Sequence, residues 1–187
     1  MIVRRHPAVL HFVVVAKDFC TLLETGRAER PCKVFIEDAI RVVLDLYHAA
    51  LDLPDVTPER PKKAERLPVR ERLDRHLHRS RKLRDSIQPR ITDSLGGERC
   101  YSSVFDPFDP KDPQPVTATL LDDLSDIYID VKAGLQQIDD REELLTRRIV
   151  WEWKFGMESH WGWHATGAIY AMHWLLKGLA EDEVLPG

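Results

Sequence analysis

Four aspartates within nine residues form the first group whose type and spacing could do chemistry: Asp122, Asp123, Asp126 and Asp130. Three of them are four residues apart, so in a helix they would lie along one face, where like charges repel. Such a row suits a hard divalent cation such as Mg²⁺, or a basic partner. The alternative, which the sequence favours, is a solvated acidic face whose repulsion is partly offset by the dipole of the helix N-terminus. Within the row, Asp126 is expected to point inward because it borders an apolar seam.

Two histidines in a tryptophan-rich segment, residues 151–164, form the second group. His160 and His164 are four residues apart, which is the helical separation that lets two imidazoles share a metal ion. Trp161 stands where a zinc protease of this pattern needs a glutamate, which argues against peptidase chemistry but not against metal binding. The alternative, again favoured, is that both histidines are core residues hydrogen-bonded to carboxylates.

If Asp126 and His164 meet across two helices, the carboxylate would orient the imidazole and raise its basicity. With His160 one turn away, this pair could act as a buried structural clamp or as a metal anchor, and we favour the clamp. The candidate polar site comprises Asp122, Asp123, Asp126, Asp130, Glu152, His160 and His164. The candidate wall of an adjoining apolar pocket comprises Trp153, Trp163 and Tyr128. A tryptophan stripe is more often part of the core than the wall of a pocket. The cofactor suggested by the polar site is a divalent cation.

A basic segment stands out from an otherwise acidic chain. Residues 57–90 hold 12 Lys and Arg against 5 Asp and Glu, although the whole chain has a net charge of −4. Such clusters can bind phosphate backbones. Here acidic residues are interleaved, and no aromatic residue lies between Tyr47 and Tyr101 to stack on bases. We therefore expect a solvated, mobile insert at about 55–90, and we do not expect nucleic acid to be the partner.

Apolar residues at helical spacing predict the elements that must position these groups. We expect helices over 7–24, 31–51, 69–87, 117–137 and about 139–179. A last helix of that length would span about 57 Å at roughly 1.5 Å per residue, so a break is expected between Gly156 and Gly162. Prolines mark 54–68 as a connector and 96–115 as a long loop, and no strand is expected. The prediction is an all-α fold for residues 1–187: a single-domain bundle of five or six helices with a long Pro-rich loop and a kinked last helix.

The cysteines and the N-terminus bear on the compartment. Cys20, Cys32 and Cys100 are odd in number and far apart, which favours free thiols in a reducing cytoplasm. An apolar run at 8–16 follows two arginines, as in a secretion signal, but its amphipathic spacing continues through 19–23, so we expect a first helix instead. No stretch approaches the roughly 18 apolar residues of a membrane span, and a membrane is not an expected partner.

Four segments of the chain together resemble a known family. They are FVVVAKDFC at 12–20 with LLE at 22–24, VFDP at 104–107, DDLSDIY at 122–128, and WEW at 151–153 with HWGWHA at 160–165. These segments resemble the bacterial family catalogued as domain of unknown function 5063. The resemblance extends over nearly the whole chain, except for residues 57–88, and the last two motifs are the most specific. It implies a helical single domain and carries over no catalytic residues.

The residues leave three functions open. The expected one is a non-enzymatic cytoplasmic binding or interaction module that uses the acidic row and the Trp/His helix, with a protein partner or a second copy in a homodimer. The alternative is a metal-dependent enzyme acting on a phosphate-bearing small molecule, because DDLSD at 122–126 is similar to the acidic motif of all-α nucleoside-triphosphate pyrophosphatases. Those enzymes also need paired glutamates on a second helix, and neither 142–143 nor Glu152 matches that spacing well. Nucleic-acid binding through the basic insert is the weakest alternative.

Overall fold

The computed structural model describes residues 3–28, 30–58, 68–104, 108, 114–138 and 143–184. Within these residues the chain forms six α-helices and one two-stranded sheet. The helices are α1 (Pro7–Thr25), α2 (Cys32–Leu51), α3 (Val69–Leu95), α4 (Leu120–Leu135), α5 (Glu143–Ser159) and α6 (Trp161–Val184). The strands are β1 (Cys100–Ser103) and β2 (Val116–Thr119). The all-α single-domain bundle expected from the sequence is confirmed.

The first two helices pack against each other and have the ends that their sequences predict. Pro7 lies in the first turn of α1, where its missing N–H is not needed, and His6 caps that turn by accepting a hydrogen bond from the N–H of Ala8. Gly26 ends α1 with a φ of 66°, a conformation that glycine adopts without strain. Pro31 then precedes α2 directly. None of the described helices is long and apolar enough to cross a membrane.

The basic helix α3 divides into two halves that differ in burial. Four residues of its C-terminal half are buried at helical spacing: Leu83, Ile87, Ile91 and Leu95. On the N-terminal half, Leu73 and Leu77 are more than half exposed. The predicted helix ended at residue 87, whereas the observed one continues through Pro89, because the apolar spacing persists beyond it. The predicted insert is therefore anchored from Leu83 onward. The mobility of its first half stays a prediction, and residues 59–67 lie outside the described part of the chain.

A β-hairpin lies where the sequence predicted a long loop and the start of a helix at 117, so the expectation of no strand was wrong. β1 and β2 pair antiparallel, with Tyr101 opposite Ala118. Their sequences, CYSS and VTAT, contain residues that favour strands, but each strand is too short for its periodicity to be recognised. Because β2 runs directly into α4, the hairpin holds Tyr101 beside the first turn of that helix. Residues 105–107 and 109–113 of the predicted Pro-rich loop lie outside the described residues.

Helix α4 is the element around which the other helices are arranged. It packs against α1, α3, α5 and α6. Thr119 caps its start by accepting a hydrogen bond from the N–H of Asp122 at 3.0 Å. Its apolar seam is buried and comprises Leu120, Leu124, Ile127 and Val131. Because neighbouring helices surround α4, several of the carboxylates that it carries face those helices rather than open solvent.

The break predicted in the last helix lies at His160, between α5 and α6. The N–H of His160 still donates to the carbonyl of Gly156 at 2.8 Å, and α6 begins at the next residue. Gly162 is required at this junction because a Cβ there would overlap the carbonyl oxygen of Met157. The break therefore depends on a close backbone approach, and it sets His160 and His164 at the start of α6.

Candidate functional site

An inner aspartate–histidine pair lies where α4 packs against the start of α6. Asp123 Oδ1 and His164 Nδ1 are 2.8 Å apart, and the two side chains are 3% and 5% exposed. The other carboxylate oxygen of Asp123 accepts a hydrogen bond from the hydroxyl of Tyr101 at 2.6 Å. Burial and this bond raise the pKa of Tyr101 above its usual range, so the hydroxyl remains a donor. The buried carboxylate is tolerated because both of its oxygens have partners.

An outer aspartate–histidine pair lies about two turns further along α4. Asp130 Oδ2 and His160 Nδ1 are also 2.8 Å apart, but these side chains are 32% and 47% exposed. The imidazole rings of His160 and His164 have centroids 5.1 Å apart and are tilted by 75° to each other. Helix α4 thus presents a carboxylate to Nδ1 of each histidine.

Asp126 lies between the inner and outer pairs and is shared by two partners. Its Oδ2 is 3.4 Å from Nε2 of His164, while its Oδ1 is bound by the guanidinium of Arg84 on α3. The same guanidinium donates to Asp122 at 3.1 Å and so bridges two carboxylates. Burial raises the pKa of Asp126, and the charge of Arg84 offsets only part of that effect.

Asp126, His160 and His164 form a group that could hold a metal ion, because one ligand atom from each lies within 4.8 Å of the others. Since Nδ1 of each histidine is bonded to an aspartate, Nε2 is the ring nitrogen that would bind a metal. Nε2 of His164 already faces Asp126, the third member of the group, at 3.4 Å. Carboxylates bonded to the far nitrogen are the means by which proteins fix the tautomer and orientation of metal-binding histidines. Here Asp123 and Asp130 are the carboxylates bonded to the far nitrogens.

The surroundings close one side of this group and leave the other open. The indole of Trp163 stacks on His164 with ring centroids 3.7 Å apart and is itself half exposed. On the inner side, Gly167 leaves room for Tyr101, since a Cβ at that position would lie 2.6 Å from the tyrosine hydroxyl. His160 remains about half exposed, so a solute can approach the group from its side.

The structure brings together six of the seven polar residues that the sequence singled out: Asp122, Asp123, Asp126, Asp130, His160 and His164. Glu152 is elsewhere, paired with Arg148 of its own helix at 3.4 Å. The acidic row is thus not a solvated face, because Arg84 and the histidines cover much of it. Of the three aspartates spaced four residues apart, Asp126 does point inward, with a side chain 14% exposed against 56% for Asp122 and 32% for Asp130. Asp123 is buried more deeply still, at 3%, because α6 and Tyr101 cover the side of α4 that carries it.

The three aromatic residues predicted to wall one pocket lie in separate places, and only Trp163 contacts the site. Trp153 is buried against Phe12 of α1 and donates its indole N–H to the carbonyl of Val131 at 3.3 Å. Tyr128 is also buried, and its hydroxyl donates to Glu24 of α1 at 2.8 Å. The predicted wall does not form because positions 128 and 153 face α1, on another side of the bundle.

Sequence reasoning missed two residues of the site, Arg84 and Tyr101. Arg84 was counted within the basic segment, and Tyr101 was assigned to the loop. Neither has a spacing relation to its partner, since Asp122 lies 38 residues after Arg84 and Asp123 lies 22 residues after Tyr101. Charge was the one available signal, since carboxylates on a packed helix need a cation nearby.

Comparison with known proteins identifies the family and the fold. A search of curated proteins finds no match to the sequence. The crystal structure of protein BF1032 from Bacteroides fragilis is similar, with a TM-score of 0.67 and 20% identity over 91% of this chain and 93% of that chain. At that identity the likeness shows the fold alone. The profile of a protein family matches residues 5–177, which include the acidic row and both histidines. The chain therefore belongs to the family described as domain of unknown function (DUF5063).

Proposed function

We propose that this protein is a cytoplasmic metal-binding module in which Asp126, His160 and His164 hold a divalent transition-metal ion. The observation that carries the proposal is the orientation of the two imidazole rings. Each is fixed at Nδ1 by its own aspartate, while a ligand atom of each histidine lies within 4.8 Å of the other and of Asp126. This arrangement matches the way in which proteins orient histidines toward a metal.

A purely structural clamp, which the sequence favoured, explains only the inner pair. Asp123 and His164 have the burial that a clamp requires. The outer pair, Asp130 and His160, is partly exposed, and exposed ion pairs contribute little to stability. The outer pair is better explained if Asp130 orients His160 toward a ligand.

The ligand types favour a transition metal over Mg²⁺ or Ca²⁺. Imidazole nitrogen suits zinc, iron, nickel and copper, whereas magnesium and calcium take oxygen ligands. Two histidines with one carboxylate are a common set for Zn²⁺ or Fe²⁺. We therefore use Zn²⁺ as the probe and Mg²⁺ as its counterpart that should not bind.

The charge of the site also favours a cation. Four carboxylates of α4 lie against the two histidines and Arg84, and that arginine bonds two of them. With neutral imidazoles the group holds excess negative charge, which a divalent cation would neutralise. Because burial raises the pKa of Asp126, protons compete for this carboxylate at a higher pH than for an exposed aspartate, so acidification should weaken metal binding.

The thiols support the cytoplasmic part of the proposal. Cys20, Cys32 and Cys100 are all free. Burial raises the pKa of the Cys20 thiol to about 12, so it stays protonated and unreactive. Free thiols with no disulfide are typical of proteins in a reducing compartment.

A second candidate is a metal-dependent enzyme acting on a phosphate-bearing small molecule. The observation in its favour is that three protein ligands leave a coordination position open, beside a histidine that a solute can reach. The second acidic helix of the pyrophosphatase-like enzymes has no counterpart in Glu152, which pairs with Arg148. Turnover of p-nitrophenyl phosphate that requires both Zn²⁺ and His160 would favour the enzyme over the binding module.

Calorimetric titration with Zn²⁺ and thermal denaturation with and without the metal test the proposed function. We expect one Zn²⁺ per chain, a higher melting temperature with Zn²⁺, and no such shift with Mg²⁺. His160→Ala should abolish the shift and leave the metal-free melting temperature nearly unchanged. His173→Ala is the matched control, because His173 is an exposed histidine of α6, away from the group. Absence of Zn²⁺ binding, or equal loss in both variants, would refute the proposal.

A further inference from the structure

Arg84 occupies the place of a cation at the site. Its guanidinium reaches from α3 to α4 and bonds both Asp122 and Asp126 of α4. The acidic row thus already has one positive charge bound to it without any metal. Two cations that share one carboxylate repel each other, and the repulsion is stronger in a partly buried site than in water.

Asp126 offers a different carboxylate oxygen to each of its two partners. One carboxylate oxygen faces Nε2 of His164 at 3.4 Å, and the other is bound to Arg84. A metal held by Asp126, His160 and His164 would therefore lie on the far side of the same carboxylate from the guanidinium. The side chain of Asp126 is only 14% exposed, so little water is present to screen the two positive charges.

The side chain of Arg84 can also move away from Asp126. Asp122, its second partner, is 56% exposed, and Arg84 itself is 35% exposed. The guanidinium can therefore keep the bond to Asp122 and turn toward water without leaving a buried charge unpaired. Leu83, beside it in the chain, is buried and keeps this part of α3 in place.

We infer that Arg84 is a built-in competitor of the metal for Asp126, and that it sets the affinity of the site. This inference rests on the proposed function. It couples metal binding to a contact that ties the middle of the basic helix α3 to the acidic row. Binding of the metal and the bond between Arg84 and Asp126 then oppose each other, and by linkage each weakens the other equally.

Titration of Zn²⁺ into charge variants of α3 tests the inference. Arg84→Gln should bind Zn²⁺ more tightly than the wild type by on the order of tenfold, because a competing charge is gone. Arg84→Lys, which keeps the charge, should gain much less. Arg81→Gln is the matched control. It removes the same charge from an exposed position of the same helix and should change the dissociation constant by less than about twofold, since exposed charges are screened.

The outcomes separate this inference from the proposed function. If the wild type binds Zn²⁺ and Arg84→Gln binds it equally or more weakly, Arg84 orients Asp126 for the metal and the competition is refuted. If neither binds Zn²⁺, both the inference and the proposed function fail.

Discussion

The inner and outer aspartate–histidine pairs have the same contact and opposite surroundings. In each, an aspartate of α4 meets Nδ1 of a histidine at 2.8 Å. The inner pair is almost fully buried and Tyr101 completes its hydrogen bonds, whereas the outer pair is about one third to one half exposed. The same contact can therefore serve two purposes. Buried, it stabilises the packing of α4 on α6; exposed, it can orient a ligand but adds little to stability.

The largest effect should follow from breaking the inner pair. Asp123→Ala leaves the imidazole of His164 and the hydroxyl of Tyr101 buried without their partner. We expect the metal-free protein to lose about 3–5 kcal/mol of unfolding free energy, as when one member of a buried pair is removed. Urea denaturation in the presence of a chelator measures this loss. Asp130→Ala is the matched variant of the outer pair, and an equal loss in both would erase the distinction between the pairs.

A smaller effect should follow from displacing the hydroxyl that completes the inner pair. An added Cβ in Gly167→Ala would lie 2.6 Å from the hydroxyl of Tyr101, so the ring must shift from the position in which it bonds Asp123. We expect a loss of about 1–3 kcal/mol, typical of overpacking. Gly178→Ala is the control on the same helix, because an added Cβ there meets nothing within 4 Å. A loss in Gly178→Ala as large as in Gly167→Ala would contradict this account of the close contact.

The smallest effect on stability should come from the outer pair. Asp130→Asn should change the unfolding free energy by no more than about 1 kcal/mol, because the pair is partly exposed. The same variant should weaken Zn²⁺ binding by about 10- to 100-fold, as expected when a carboxylate that orients a metal-binding histidine is lost. Calorimetry and urea denaturation of one preparation measure both quantities. A large loss of stability with unchanged Zn²⁺ affinity would reverse the roles that we assign to the two pairs.

Sequence alone predicted the parts of this site that depend on helical periodicity. The four-residue spacing of His160 and His164 and that of Asp122, Asp126 and Asp130 are local, so one turn of helix already sets these residues side by side. The break before α6 was also predictable, because an unbroken helix of that length would outgrow a single domain.

The parts that depend on which helices meet could not be predicted. Asp126 was expected to point inward, but the deeper burial of Asp123 was missed, because it is set by α6 and the hairpin. That hairpin consists of two four-residue strands and carries Tyr101 to Asp123. Arg84 reaches the row from α3, a helix whose basic composition indicated a solvated segment. Long-range contacts of this kind leave no spacing pattern in the chain.

Anomalous X-ray scattering at the zinc absorption edge, from crystals grown with Zn²⁺, tests the central claim most directly. We expect one strong peak per chain, with the metal about 2.0–2.2 Å from a nitrogen of His160, a nitrogen of His164 and an oxygen of Asp126, as in known zinc sites. Crystals of His160→Ala should lack that peak. No peak between α4 and α6, or an equally strong peak in the variant, would contradict the account.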